Sequence, residues 1–130
     1  MASRLYTHWR EVDLAEWKAR WPSFHPSEIA CRHCGELLLD EAFMDTLQRQ
    51  RDESEQPIVL TSAYRCPIWN AMVGGAPLSM HKRGRAGDQA LRGRAIAAVE
   101  SQARAAGFTG FGRYQTFLHA DMGRARQWAS

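Results

Sequence analysis

"SMHKRGRAGDQ", residues 79–89, decides how this chain is read. His81 is followed seven residues later by Asp88, with Gly84 between them and the small pair Ala86-Gly87 just before the aspartate. Gly84 permits a tight turn, and small residues let the backbone approach a bound ion closely. The spacing alone leaves two readings open: half of a metal site, or a basic surface loop that contains a histidine. A second stretch bears on the choice. "TFLHAD", residues 116–121, reads as a strand. Side chains alternate along a strand, so His119, Asp121 and Phe117 share one face while Leu118 and Ala120 turn to the core. A catalytic zinc takes three protein ligands and keeps one position open. His81, Asp88 and His119 are the right number and type, and zinc so held activates water at neutral pH. A carboxylate beside it can move the proton, and Asp121 is the candidate by position. His8, His25 and His33 are read as ordinary histidines.

Working outward, 130 residues make one domain, expected to fill residues 1–130 with 1–23 as a helical extension. No apolar run approaches the roughly 18–20 residues that span a bilayer. "MASRLYTHWREVDLAEWK", residues 1–18, lacks a charged-then-apolar pattern. A chain made in the cytoplasm without a signal peptide is therefore expected. A net charge of +3 is weak support for an anionic partner. The basic residues Arg49, Arg51, Lys82, Arg83, Arg85, Arg92, Arg94 and Arg104 fall on separate predicted elements, which argues against nucleic acid. Lys82, Arg83 and Arg85 flank the predicted cleft, either to attract anionic wall polymer or as a solvated loop.

The elements follow from periodicity and punctuation. Val12, Leu14 and Trp17 line one face of a short N-terminal helix. Ser27 reads as an N-cap, with a short helix over 28–34 ended by Gly35. Asp40 opens a longer helix with Phe43, Met44 and Leu47 on one face. "PIVLTSAY" (57–64) is a strand of about five residues by its β-branched content, and "CPIWNAMVGG" (66–75) a short helix with Pro67 in its first turn. A strand around Ala86–Leu91, a helix over 93–106 and two strands in "FTGFGRYQ" and "TFLHADM" complete the pattern. The order predicts an α+β domain whose small sheet is mostly antiparallel and flanked by helices.

Three cysteines, Cys31, Cys34 and Cys66, do not make a secreted disulfide framework. "CRHC" has zinc-knuckle spacing, and Cys66 or His33 would extend it, but no second CxxC completes four ligands. Buried thiols, with a Cys34–Cys66 pair under oxidation, and a second metal both stay open.

The same stretches resemble a known family. "SMHKRGRAGD" is similar to the S-x-H-x-x-G-x-A-x-D motif of the zinc D-Ala-D-Ala carboxypeptidase family, with Ser79, His81, Gly84, Ala86 and Asp88 in place. "LTSAYRCPIWNAMVGG" resembles the family's S-x-Y-R and N-x-x-V-G-G segments, and "FLHADMGRARQW" its F-x-H-x-D closing strand. "FHPSEIACRHCGELLLDEAFMDTLQRQRD" resembles the N-terminal half of phage and prophage members. The resemblance runs from about residue 24 to 128 and implies a fold of the hedgehog/DD-peptidase type. It implies Zn2+ held by His81, Asp88 and His119, and cleavage of peptide bonds in peptidoglycan. It also implies an Arg65 that binds and polarises substrate, as a guanidinium can; beside it Ser79 orients substrate or a ligand, or is a plain loop hydroxyl, and Tyr64 either packs under the site or donates to substrate. Many members carry a catalytic acid three residues before the second histidine. Here that residue is Thr116, which leaves Asp121 as either the proton shuttle or the group that orients His119.

The function expected is a zinc peptidase acting on peptidoglycan stems or cross-links, as a D,D-carboxypeptidase or an endopeptidase. Its setting would be the cell wall, reached as an endolysin of a phage or gene-transfer particle, whose components would be its other partners. The competing reading is a zinc-stabilised module that binds cell-wall peptide or protein without turnover.

Overall fold

A computed structural model describes residues 3–130. Strand β1 (Ser3–Tyr6) pairs antiparallel with β2 (Leu37–Asp40), Tyr6 opposite Leu37. Between them lie a 3-10 turn (Trp9–Glu11), helix α1 (Leu14–Arg20) and helix α2 (Pro26–Ile29). Helix α3 (Glu41–Ser54), strand β3 (Leu60–Ser62), helix α4 (Pro67–Met72), a second 3-10 turn (Met80–Arg83) and strand β4 (Ala86–Ala90) follow. Helix α5 (Ile96–Ala106) and strands β5 (Gly110–Arg113), β6 (Phe117–Asp121) and β7 (Arg126–Ala129) complete the fold. The main sheet runs β3-β4-β6-β5-β7. It is antiparallel throughout except for β7, which lies parallel to β5. The domain is α+β, as expected. Among the described residues no helix is long and apolar enough to cross a membrane.

The N-terminal region differs from its sequence reading. It begins with a strand, and its helix starts only at Leu14, with Asp13 as N-cap. Leu14 is exposed, whereas Trp17 and Trp21 are buried in the main core, edge to face at 4.9 Å. Strands β1 and β2 stabilise each other, and a four-residue strand with a distant partner leaves little periodicity to read. The α2 cap also moves. His25, not Ser27, is the N-cap: its ring accepts from Ser27 N (3.2 Å), and Glu28 accepts from His25 N (2.7 Å). An imidazole nitrogen supplies the acceptor that cap rules seek in hydroxyls and carboxylates.

One face of the main sheet carries the core. Leu118, Ala120 and Phe111 are fully buried with Phe43 and Leu47 of α3 and Val99 and Ala103 of α5. Gly87 sits where a Cβ would meet Leu60 and Phe43 at 3.1 and 3.3 Å, so α3 seats directly on β4. Between them Gln50 and Gln89 exchange both amide hydrogen bonds, at 2.7 and 2.8 Å. Asp40 opens α3 as expected, accepting from Phe43 N (3.0 Å), and its other oxygen takes Arg85 (2.7 Å). The opposite sheet face carries Asp88, His119, Asp121 and Arg126 together with Phe117 and Trp128.

The paired amides yield a direct test. Gln50→Leu strands the buried Gln89 amide and is expected to cost about 1–3 kcal/mol, because an unsatisfied buried amide bears its full desolvation penalty. Urea unfolding reads this as a lower midpoint. An unchanged midpoint would show that the pair contributes nothing to stability.

Candidate metal centre

The β4–β6 register sets Asp88 directly opposite His119, so both side chains leave the sheet on the same face. His81 comes from the 3-10 turn before β4. Gly84, at φ +68, ends that turn against Leu38 O, where a Cβ would not fit. This sharp reversal carries His81 back over the strand that bears Asp88. His81, Asp88 and His119 are all buried, with ligand atoms within 4.8 Å of one another.

The hydrogen bonds fix which ring nitrogens face inward. His81 Nδ1 lies 2.6 Å from Ala63 O, a bond that makes it the donor and leaves Nε2 bare, 3.2 Å from Asp88 Oδ1. His119 Nε2 lies 2.7 Å from Asp121 Oδ2, and its Nδ1 is 3.1 Å from Asp88 Oδ1. In the neutral rings two imidazole lone pairs thus converge on a carboxylate oxygen. Acceptors facing acceptors require a positive charge between them, and nitrogen-nitrogen-oxygen is a zinc donor set. With no cation bound, protonated rings supply that positive charge instead: burial pushes the Asp88 pKa up, but His119 and His81, donating in their charged form, outweigh it and hold it well below the usual carboxylate range. Burial opposes the charged form of His119, yet Asp121 and Asp88 together raise its pKa. The residues present therefore fit the zinc ion that the resemblance implies.

Asp121, for which the sequence left a proton-shuttle role and an orienting role open, is hydrogen-bonded to His119. It is completely buried. Oδ2 accepts from His119 Nε2 and Arg126 Nη2, both at 2.7 Å; Oδ1 accepts from Arg126 Nη1 and Gly123 N, both at 2.9 Å. Four donors occupy the carboxylate, which lies on the far side of the ring from Asp88. Burial raises its pKa, but His119, Arg126 and the Gly123 amide hold it below the usual range.

Arg126 reaches Asp121 because β5 is bare on this face. Gly110 lies between Asp121 and Arg126 in the ladder, and Gly112 between His119 and Trp128. A Cβ on Gly110 would overlap the Asp121 carboxylate and the Arg126 guanidinium; one on Gly112 would overlap the Trp128 indole. Side chains from β7 therefore cross over β5, and Trp128 packs 5.1 Å from His119. Arg126, Trp128 and Tyr114 were not singled out from sequence. The signal was "GFG" at 110–112, two glycines on one strand face.

An open cleft of about 440 Å³ lies over the three candidate ligands, with Arg65, Ser79, Tyr114, Phe117 and Trp128 among its walls. Arg65 stands at the corner between β3 and α4. Its Nε donates to Ser62 Oγ (3.1 Å), and its Nη2 lies 3.4 Å from Asp88 Oδ2. Tyr114 accepts from Trp128 Nε1 (2.9 Å) and stacks on Phe117, so its own proton is free for the cleft. The Ser79 hydroxyl accepts from His81 N (3.2 Å), capping the turn that delivers this histidine. Tyr64, read from sequence as packing under the site or donating to substrate, is buried, donates to Glu36 Oε1 (2.6 Å) and is not on the cleft wall. Thr116 is exposed and takes no part. Lys82, Arg83 and Arg85 line a separate groove with Arg124 rather than this cleft.

The family model described as Peptidase M15 matches residues 22–121. No curated protein matches the chain.

Gly110→Ala is expected to displace the Asp121–Arg126 pair and weaken zinc binding about 10–100-fold, the usual loss when a partner that orients a ligand is disturbed. Competition against a chromophoric chelator measures it. Unaltered affinity would mean that His119 keeps its orientation without this support.

Proposed function

The chain belongs to the Peptidase M15 family, a family of zinc-dependent peptidases of the peptidoglycan-peptidase type, and we propose that it hydrolyses peptide bonds in the stems or cross-links of bacterial peptidoglycan. The observation that carries this reading is the convergence of His81 Nε2, His119 Nδ1 and Asp88 in one buried cluster at the floor of an open cleft. Zinc bound there supplies Lewis acidity toward a peptide carbonyl and activates water. His81, Asp88 and His119 hold it, and Asp121 and Ala63 O set the two imidazoles. Arg65 presents its guanidinium beside Asp88, placed to pair with a substrate carboxylate or an oxyanion. Tyr114, in the turn between β5 and β6, offers a hydroxyl proton, and Ser79 keeps the His81 turn in place. With Asp88 and Asp121 engaged, Arg65 leaves the cleft attractive to the carboxylates of wall peptides. The open cleft favours a polymer-borne cross-link over a free dipeptide, and the cell wall is then where the protein acts.

A second reading has one observation in its favour. Among the described residues on the cleft wall, Asp88 is the only carboxylate, so no acidic side chain is free to act as a base. A domain that binds wall peptides without turnover would look the same.

Digestion of purified peptidoglycan separates the two. Zinc-loaded protein is expected to release a new muropeptide, identified by mass spectrometry, and His119→Ala to release none. Arg65→Ala is expected to lower kcat/KM by about 100–1,000-fold with zinc content unchanged, the size seen when one oxyanion donor is removed. No product at full zinc occupancy would sink the peptidase reading for this substrate and leave the binding module.

A further inference from the structure

The three cysteines take no part in the centre described above. Cys31 follows α2, Cys34 lies in the loop before β2, and Cys66 is the N-cap of α4. Although distant in sequence, the three sulfurs lie within 4.8 Å of one another. All three are free thiols, Cys31 and Cys66 buried and Cys34 at the surface. Cys31–Gly35 is a tight loop closed by Gly35 N to Cys31 O (2.9 Å), with Gly35 at φ +78. Trp69 N donates to the Cys66 sulfur at 3.3 Å. Amides turned toward sulfur favour thiolate over thiol. Arg32, the next residue after Cys31, has its guanidinium held by the carbonyls of Ser27, Ala30 and Leu60.

We propose that Cys31, Cys34 and Cys66 form a second metal site, which takes a thiophilic divalent cation of the zinc class and ties the Cys31–Gly35 loop to the corner carrying Arg65. A disulfide would use two sulfurs and strand the third, whereas here all three converge. Thiolates select soft or borderline cations and reject magnesium and calcium. Each thiol loses its proton to solvent as its sulfur–metal bond forms, and Arg32 offsets the excess negative charge of three thiolates on a divalent ion. The fourth position falls on the exposed Cys34 side, open to water. His33 does not fill it, because its ring is stacked on Trp69 at 5.3 Å. The consequence reaches the cleft through the main chain. Tyr64 N bonds Ile29 O (3.0 Å) and Arg65 N bonds His81 O (3.1 Å), so a cation on Cys66 fixes the backbone that presents both Arg65 and the Ala63 carbonyl under His81.

Cobalt(II) loading of the reduced full-length chain tests this independently of peptidase activity. Thiolate-to-cobalt charge transfer gives a near-ultraviolet band that a His-Asp-His centre cannot give. The wild type is expected to take two ions per chain and to show the band. His119→Ala is expected to keep the band with one ion fewer, and Cys34→Ser to lose it at equimolar cobalt. Absence of the band from metal-replete wild type would overturn the proposal, as would a chain mass two hydrogens below the reduced form after aerobic purification with zinc. A band in His119→Ala protein that digests no peptidoglycan in wild-type form would still establish the thiolate site.

Discussion

The register between β4 and β6 is the constraint on which the rest depends. Asp88 faces His119 across one rung of an antiparallel pair, and a slip by one residue would send one of them into the hydrophobic layer. What prevents the slip lies on the other face. Leu118 and Ala120 are fully buried, and Gln89 is locked to Gln50 of α3. The core thus aligns the candidate ligands without touching them. A buried Asp88 carboxylate would be costly on its own, and the two imidazoles and Arg65 around it are what make its position tolerable.

The two candidate histidines are supported by unlike means. His81 leans on a main-chain carbonyl and on a turn that only a glycine can close. His119 leans on Asp121, which leans on Arg126, which crosses a strand stripped of side chains at Gly110 and Gly112. Each orienting bond fixes a tautomer, so the lone pairs point inward before any ion arrives.

Much of this was legible in the chain itself. Asp40 as a cap, the Pro67 helix, and the alternation of Leu118 and Ala120 against His119 and Asp121 are local signals, and local chemistry decided them. The spacing of His81 and Asp88 about Gly84 was readable for the same reason. Strands β1 and β2 were not, because each exists only by pairing with the other across the intervening helices. The His25 cap of α2 escaped because cap rules rank oxygen acceptors. The confinement of Asp121 escaped because Arg126 belongs to a strand with no alternation of its own, and only the parallel β5–β7 pairing brings it into reach. Sequence could place a carboxylate beside His119 but could not say how many donors would already occupy it. The convergence of Cys66 with Cys31 and Cys34 likewise depends on how α4 docks beside the loop after α2.

Arg126 and Trp128 have a consequence in time. On the ribosome His81, Asp88 and His119 all emerge before them, so a nascent chain already holds every candidate ligand while Asp121 still lacks its guanidinium and His119 its indole neighbour. Strand β5 cannot be covered until β7 arrives beside it. Domains fold largely as units when their last elements become available. Ordering of the His119 side of the cluster is therefore deferred to the end of synthesis of this region, and a chain arrested short of Arg126 would carry the ligands but not the organised centre.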